Sequence, residues 1–159
     1  MSHFTADNII IRPICHKDCH ALWQILSDPL VQEFNDYPLT ISKGDVREHI
    51  QGDLERSYTQ QGLRYVIVLK QTGLVIGSIG LFNIQHNTAY IGFELASDYF
   101  GKGIMQFAIT KLLSVLHDQF SFPIENIFAD VKLGNLACIR LLEKLGFKKQ
   151  GLLWCKSLA

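Results

Sequence analysis

The sequence lacks an excess of charge of either sign. Its 159 residues include 15 Lys and Arg and 15 Asp and Glu, so the formal net charge is zero at pH 7. Proteins that bind nucleic acid usually present a basic surface to the phosphates, and this balance therefore disfavours a nucleic-acid partner. The chain also lacks a run of about 18 apolar residues, and its first residues lack the basic and apolar regions of a secretory signal. We expect a cytoplasmic protein with no membrane partner.

Cysteine is scarce, with four residues at uneven spacing. That number and spacing do not suit a disulfide framework, and the thiols are expected to be free. Cys15, His16, Cys19 and His20 form a compact cluster, but no second ligand pair follows to complete a four-coordinate zinc site. Cys19 instead falls in step with the apolar stripe of a predicted helix. We therefore predict no metal.

No internal repeat, low-complexity tract or linker interrupts the chain, and 48% of its residues are hydrophobic. This length and composition suffice for one core. The sequence thus predicts a single domain over residues 1–159. It leaves the oligomeric state open between a monomer and a homodimer.

Hydrophobic periodicity predicts a mixed α/β (α+β) fold in the order β-α-α-β-β-β-α-β-α-β. The three central strands are separated by short turns, and this spacing favours antiparallel pairing in a sheet flanked by helices. Asp18 is predicted to cap the first helix and Pro29 to stop it. The predicted strands are 8–14, 64–69, 74–82, 89–95, 126–131 and 148–155, and the predicted helices are 18–29, 42–60, 104–122 and 135–145.

A glycine pair lies between the third central strand and the helix that follows it. In Gly101-Lys102-Gly103 two glycines let backbone N–H groups converge, and a helix N-terminus adds partial positive charge, a combination that suits phosphate. The segment matches neither the Walker A loop nor GxGxxG. Glycines that serve only the turn explain the motif equally well.

A second marked segment begins about 30 residues later. Asn135 can cap its helix, and Gly146 with Phe147 suits a Schellman-type end. With these motifs the chain resembles a GNAT acetyltransferase of the RimJ/RimL-like branch (ribosomal-protein alanine N-acetyltransferases). Members of that branch carry a Q/R-x-x-G-x-G/A pyrophosphate loop and a later N-x-x-S-x-x-L-L-E-K-L-G-F helix. The Ile-Ile-Ile-Arg-Pro of residues 9–13 and the Ile-Gly-Phe-Glu-Leu of 91–95 also resemble it.

The resemblance implies an N-acetyltransferase that uses acetyl-CoA as a co-substrate and an amine as acceptor. It places the pyrophosphate on the backbone of the glycine loop and the pantetheine arm beside the preceding strand. Asn135 would contact the coenzyme, cap its helix, or do both. Cys138 would either lie near the coenzyme sulfur or serve as a small core residue. The residues assigned to the coenzyme are Leu95, Ala96, Phe100, Gly101, Lys102, Gly103, Ile104, Met105, Asn135 and Cys138.

The chain departs from the family pattern at three places. Asp98 stands where the wider pattern has Gln or Arg, so one side-chain contact to phosphate is missing. Leu142 stands where many members carry a Tyr that protonates the leaving thiolate. The family usually continues into another strand after residues 148–155, and its absence would remove one wall of the acceptor pocket and leave a sheet edge open.

The implied reaction is direct attack of a neutral amine on the thioester. An α-amine, with a pKa of about 7.7–8.0, needs less help from a base than a lysine at about 10.4, which favours a protein or peptide N-terminus over other primary amines. Glu94 and Asp130 are the candidate bases, with Glu94 ranked first. Phe34 and Tyr37, in a polar and aromatic loop, are the candidate substrate-binding residues.

Two rival interpretations stay open. A catalytically idle acyl-CoA-binding module would fit the missing Tyr and the Asp98 departure. A protein-interaction module on the same fold would have no accessible coenzyme groove.

Overall fold

The computed structural model describes residues 8–33, 35 and 40–158. Within these residues, helices cover both faces of a seven-stranded sheet. Short 3-10 turns occur at His16–Asp18, Ser97–Tyr99 and Leu116–Asp118. The strands are β1 Ile9–Pro13, β2 Leu63–Leu69, β3 Val75–Gln85, β4 Thr88–Leu95, β5 Asn126–Ala129, β6 Lys148–Gln150 and β7 Leu153–Ser157, and the helices are α1 Cys19–Leu26, α2 Pro29–Gln32, α3 Lys43–Tyr58, α4 Ile104–Val115 and α5 Leu136–Lys144.

The sheet order is β1-β2-β3-β4-β5-β7-β6, and all neighbours are antiparallel except β4 and β5. This confirms the mixed, mostly antiparallel sheet predicted from the sequence. The parallel pair is short, because its register runs only from Thr88 opposite Asn126 to Tyr90 opposite Phe128. β4 continues to Leu95. The last five residues of β4 thus lie along an opening that β5 does not fill.

Apolar side chains form one cluster on each face of the sheet. Ile67 and Ile79 point to the face covered by α4 and α5. Val66 packs with residues of α1 and α3 on the opposite face. Successive side chains of a strand point to opposite faces of the sheet. Because helices cover both faces, the central strands are apolar on both sides and rich in β-branched residues.

The first helical region differs from the prediction at two residues. Pro29 does not merely end a helix: it occupies the first turn of α2, where its missing N–H costs nothing. Asp18 makes no side-chain cap to α1. Its carboxylate instead binds both terminal nitrogens of Arg12, at 2.9 and 2.7 Å, and accepts from the Cys15 N–H at 2.9 Å.

The predicted last strand, 148–155, is two strands. The chain turns at Gly151, which has φ +66°, so β6 and β7 form a hairpin. β7 enters the sheet between β5 and β6, and Ala129 pairs with Trp154. Residues 148–157 thus supply two strands where the sequence predicted one, and β6 forms the edge of the sheet.

Two predicted elements end earlier than expected. α4 stops at Val115 and passes into the 3-10 turn Leu116–Asp118, in which Leu116 is buried and the next two residues are polar and exposed. β5 stops at Ala129 rather than at residue 131. In the part of the chain that the structure describes, no helix is both long and apolar enough to cross a bilayer. The cytoplasmic location stays a prediction.

Candidate active site

The glycine loop leads directly into α4. Gly101 and Gly103 have φ of +73° and +76°, in the left-handed region that favours glycine, and no heavy atom lies within 4 Å of a Cβ built on either. Gly103 is the N-cap of α4 and offers no capping side chain. The first N–H groups of a helix have no partner within it, and its dipole is positive there. The loop is therefore open and carries N–H groups suited to a phosphate group.

The other residues of the loop differ in their exposure. The side chains of Ile104 and Met105 are buried in the core, with 1% and 7% exposure, so only their N–H groups can reach the loop. Phe100 and Lys102 are exposed. Asp98 is also exposed, in the turn just before the loop.

The open side of β4 offers main-chain groups. The Ala96 N–H donates to Ile76 O at 2.7 Å, toward β3. Since successive residues of a strand point their N–H and C=O groups to opposite sides, those of Leu95 point toward the opening beside β5. Ala96 O accepts from the Tyr99 N–H at 3.0 Å. Of the two residues predicted to pair with pantetheine, Leu95 has the suitable orientation, whereas both main-chain groups of Ala96 already have partners.

The start of α5 follows the loop that leaves β5. Asn135 caps α5, and its Oδ1 accepts from the Cys138 N–H at 3.2 Å, as the sequence predicted. Cys138 is half-buried against the core, and burial raises the pKa of its thiol to about 11. Leu142 is fully buried. The Phe147 N–H donates to Leu142 O at 2.9 Å, which confirms the predicted Schellman end.

The two candidate bases lie in different environments. Asp130 follows the last residue of β5 and is exposed. The sequence predicted a strand over 126–131 with this charge inside it, and that prediction is wrong. The side chain of Glu94 is 7% exposed. Its Oε1 accepts from the Ser78 hydroxyl at 2.6 Å and lies 3.6 Å from Arg64 Nη1. Glu94 is thus an ordered side chain facing α1 and α3 rather than a solvated strand residue.

Glu94 lines a cavity of about 550 Å³ between the sheet and the two helices α1 and α3. Apolar residues of α1, including Leu22 and Leu26, form one wall, and Phe82 lies at another. The charged residues in the lining are Glu48, His49, Asp53, Arg56, Arg64 and Glu94.

Sequence reasoning missed the polar residues that hold Glu94. Arg64 Nη1 donates to Ser78 Oγ at 2.9 Å, and Arg64 Nε lies 3.2 Å from Asp53 Oδ2. Ser78 is completely buried. One available signal was the single charge of Arg64 in the apolar run 63–69, since a charge in such a run needs a partner. Its partners, however, lie on three other elements.

The predicted substrate-binding residues Phe34 and Tyr37 lie outside the described residues. Next to them, Asn35 O accepts from Lys132 Nζ at 3.0 Å, which ties this segment to the loop between β5 and α5. Across residues 8–33, 35 and 40–158, no three His, Cys, Asp or Glu side chains are grouped to hold a metal ion.

Solved structures with this fold include several acetyltransferases. RimL, the ribosomal L7/L12 α-N-protein acetyltransferase, aligns with a TM-score of 0.82 at 18% identity over 95% of this chain and 91% of its own. A RimL complex with coenzyme A gives a TM-score of 0.80 at 19% identity over 94% of each chain. The microcin C7 self-immunity acetyltransferase MccE, in complex with acetyl-CoA and AMP, gives 0.81 at 21% identity over 99% of this chain and 97% of its own. These likenesses establish the fold.

Sequence comparison establishes the family. The uncharacterized N-acetyltransferase p20 of Bacillus licheniformis is 31% identical over 156 residues, covering 96% of this chain and 86% of its own. The uncharacterized N-acetyltransferase YoaA of Bacillus subtilis is 28% identical over 92% of this chain and 83% of its own. The model of the acetyltransferase (GNAT) domain matches residues 8–148. The chain therefore belongs to the GNAT acetyltransferase family and is an N-acetyltransferase that takes its acetyl group from acetyl-CoA.

Proposed function

We propose that this enzyme acetylates the α-amine of a protein or peptide N-terminus by direct attack within a ternary complex. The observation that carries the proposal is the position of Glu94 relative to the coenzyme surface. Its carboxylate faces the cavity under α1 and α3, while Leu95, the next residue, turns its main-chain groups toward the opening beside β5. An amine in the cavity and a thioester in the opening would meet at the end of β4.

Each residue of this arrangement has a defined part. The backbone of the glycine loop holds the pyrophosphate, and the Leu95 N–H donates to the thioester oxygen, where negative charge develops. Glu94 accepts the proton that the amine loses as the N–C bond forms and the C–S bond breaks. Among the described residues, the contacts of the Glu94 carboxylate with Ser78 and Arg64 use Oε1, and we assign Oε2 to the amine. Leu142 cannot protonate the leaving sulfur, which departs as the thiolate or takes a proton from the solvent.

Two further points support an N-terminal acceptor. An α-amine is partly neutral at physiological pH, so a single carboxylate suffices as the base. RimL and its relative from Salmonella typhimurium, which share this fold, act on the N-terminus of ribosomal protein L7/L12. Asp130 stays the second candidate base.

A peptide assay tests the acceptor class. The purified protein is incubated with acetyl-CoA and peptides that carry both a free N-terminus and an internal lysine, beside the same peptides with a formylated N-terminus. Mass spectrometry then locates the acetyl group. We expect acetylation only of the free α-amine; transfer to lysine or to small amines alone would overturn the proposed acceptor, and binding of acetyl-CoA without any turnover would favour the idle module.

Glutamine variants test the base. Glu94→Gln keeps the size of the side chain but removes the proton acceptor, and we expect a loss of about 10²-fold or more in kcat. Asp130→Asn tests the second candidate in the same way. Glu125→Gln, at an exposed residue before β5, is the matched control and should retain activity. Full activity of Glu94→Gln would exclude Glu94 as the base.

A further inference from the structure

The Arg64 guanidinium lies across the floor of the cavity and joins α3 to Glu94. Its Nε contacts Asp53 of α3 at 3.2 Å, and its Nη1 contacts Ser78 at 2.9 Å and Glu94 at 3.6 Å. Asp53 also accepts from Arg56 Nη2 at 2.9 Å. The side chains of Arg64, Asp53 and Glu94 are all at most 15% exposed. Solvent therefore weakens these charge pairs less than it would weaken pairs at the surface.

The space for this guanidinium exists because residue 80 has no side chain. Gly80 is the cross-strand partner of Arg64, and a Cβ built on Gly80 would lie 2.6 Å from Arg64 Cζ and closer still to Nη2. Gly80 is not among the glycines with positive φ, so its backbone would accept any residue. Space for Arg64, rather than backbone freedom, is the reason for glycine at this strand position.

From these contacts we infer that Arg64 is the positioning residue for Glu94, and that Gly80 enables this role. The inference rests on the proposed function, in which Glu94 takes the amine proton. Arg64 and Ser78 both occupy Oε1, which fixes the carboxylate and leaves Oε2 facing the acceptor. The link to Asp53 makes the position of the carboxylate depend on α3, one wall of the cavity. Guanidinium suits this task because its planar fork reaches two partners at fixed angles.

Two variants disturb the contact in different ways. Arg64→Met removes the cation, whereas Gly80→Ala keeps it and displaces it, since the end of the Arg64 side chain moves more easily than the strand. We expect kcat to fall at least 10-fold in Arg64→Met, with the KM for acetyl-CoA within twofold of wild type. Arg64→Lys should recover part of the loss. Gly44→Ala, in the exposed first turn of α3, is the matched glycine control and should retain activity.

The double variant separates positioning from general damage. Once Arg64 is Met, the added methyl at position 80 has no guanidinium to displace, so Gly80→Ala should cost little more. We expect the kcat of the double variant to lie within about twofold of that of Arg64→Met. The inference would be overturned if each single variant, Arg64→Met and Gly80→Ala, had a kcat within twofold of wild type. It would also be overturned if the kcat of the double variant fell by the product of the two single losses.

The pH profile adds a readout that a merely structural role would not move. Loss of the neighbouring cation disfavours an ionised carboxylate, so the acid limb of kcat/KM should move to higher pH in Arg64→Met; an equal loss at every pH would count against the inference. Because the imidazole of His49 also lines the cavity, His49→Gln is profiled beside it. The charged and titratable groups of the cavity are Glu48, His49, Asp53 and Arg56 on α3, Arg64 on β2 and Glu94 on β4.

A stability measurement distinguishes this inference from the proposed function. The thermal unfolding of Arg64→Met, of Glu94→Gln and of the variant that combines these two substitutions is measured without substrate. We expect the losses in Tm to be less than additive, because the first substitution already breaks the contact. Additive losses would overturn the positioning role even in an active enzyme. If the losses in Tm are less than additive but the protein acetylates no peptide, the contact between Arg64 and Glu94 is supported and only the proposed function is rejected.

Discussion

The hydroxyl of Ser97 donates a hydrogen bond to a carboxylate oxygen of Asp28. Ser97 begins the 3-10 turn that precedes the glycine loop, and Asp28 is the N-cap of α2, where it accepts from the Leu30 N–H at 2.9 Å. The bond from Ser97, and then that from Leu30, hold the pKa of Asp28 below its usual range. The start of α2 is thus attached to the segment that leads into the glycine loop.

This contact predicts that Asp28 supports coenzyme binding. Asp28→Ala should weaken acetyl-CoA binding about three- to tenfold by titration calorimetry, because the turn before the loop loses its anchor. Ser97→Ala should have a similar effect. The contribution of a carboxylate with a lowered pKa is complete above about pH 4 and is lost as the pH falls through that pKa, so the difference from wild type should be constant between pH 6 and 8. Unchanged affinity in both variants would contradict the prediction.

Two glycines of matched geometry test the phosphate surface. Gly103 and Gly73 have φ of +76° and +72°, and neither has a heavy atom within 4 Å of a built Cβ. Tryptophan at either position meets similar backbone strain, but only Gly103→Trp covers the N-terminus of α4. We expect acetyl-CoA binding to be lost in Gly103→Trp and kept in Gly73→Trp. Equal affinities would show that the coenzyme does not use this loop.

The ion pair between Arg12 and Asp18 predicts a loss of stability without a loss of chemistry. Arg12→Met leaves the Asp18 carboxylate, 3% exposed, without its cation. Because Arg12 itself is 38% exposed, we expect a loss of about 2 kcal/mol, below the roughly 3–5 kcal/mol of a fully buried pair. Urea unfolding at pH 7 measures the loss. Arg47→Met, at an exposed residue of α3, should stay within about 0.5 kcal/mol of wild type.

The same pair predicts a pH dependence. Burial raises the pKa of Asp18, but the bonds from Arg12 and the Cys15 N–H outweigh it and hold the pKa below its ordinary value. The stabilisation is therefore present above about pH 4 and lost as the pH falls through the lowered pKa. The gap in stability between wild type and Arg12→Met should narrow as the pH falls from 5 toward 2. A gap that stays constant would contradict this assignment.

Cys138 is expected to be an unreactive core thiol. With a pKa of about 11, only about one thiol in 10³ is ionised at pH 8, and the thiolate is the nucleophile. Iodoacetamide should therefore modify Cys138 slowly, as followed by mass spectrometry of its peptide. Cys138→Ala should keep the Kd for acetyl-CoA within twofold. Rapid modification that acetyl-CoA prevents would instead place this thiol at the coenzyme.

Local rules were sufficient wherever a feature depends on neighbours along the chain. The Asn135 cap, the end of α5 and the glycines of the glycine loop follow from side-chain and backbone preferences over a few residues. The same rules failed where burial decides the outcome. Asp is a residue type that commonly caps helices, yet the buried carboxylate of Asp18 binds Arg12 and the Cys15 N–H instead. The turn at Gly151 was missed because a short hairpin and one longer strand share the same alternation.

The sequence by itself determined the family, the order of most elements and the position of the glycine loop between β4 and α4. Only the tertiary structure decided how Glu94 is held, because Arg64, Gly80 and Glu94 meet through the registers of β2 with β3 and β3 with β4. Alternation along β4 showed that Glu94 points away from one face of the sheet. It did not show that α1 and α3 cover the other face. The alternation along a strand shows to which face of the sheet a side chain points, whereas the residues that it contacts there belong to elements distant in the chain.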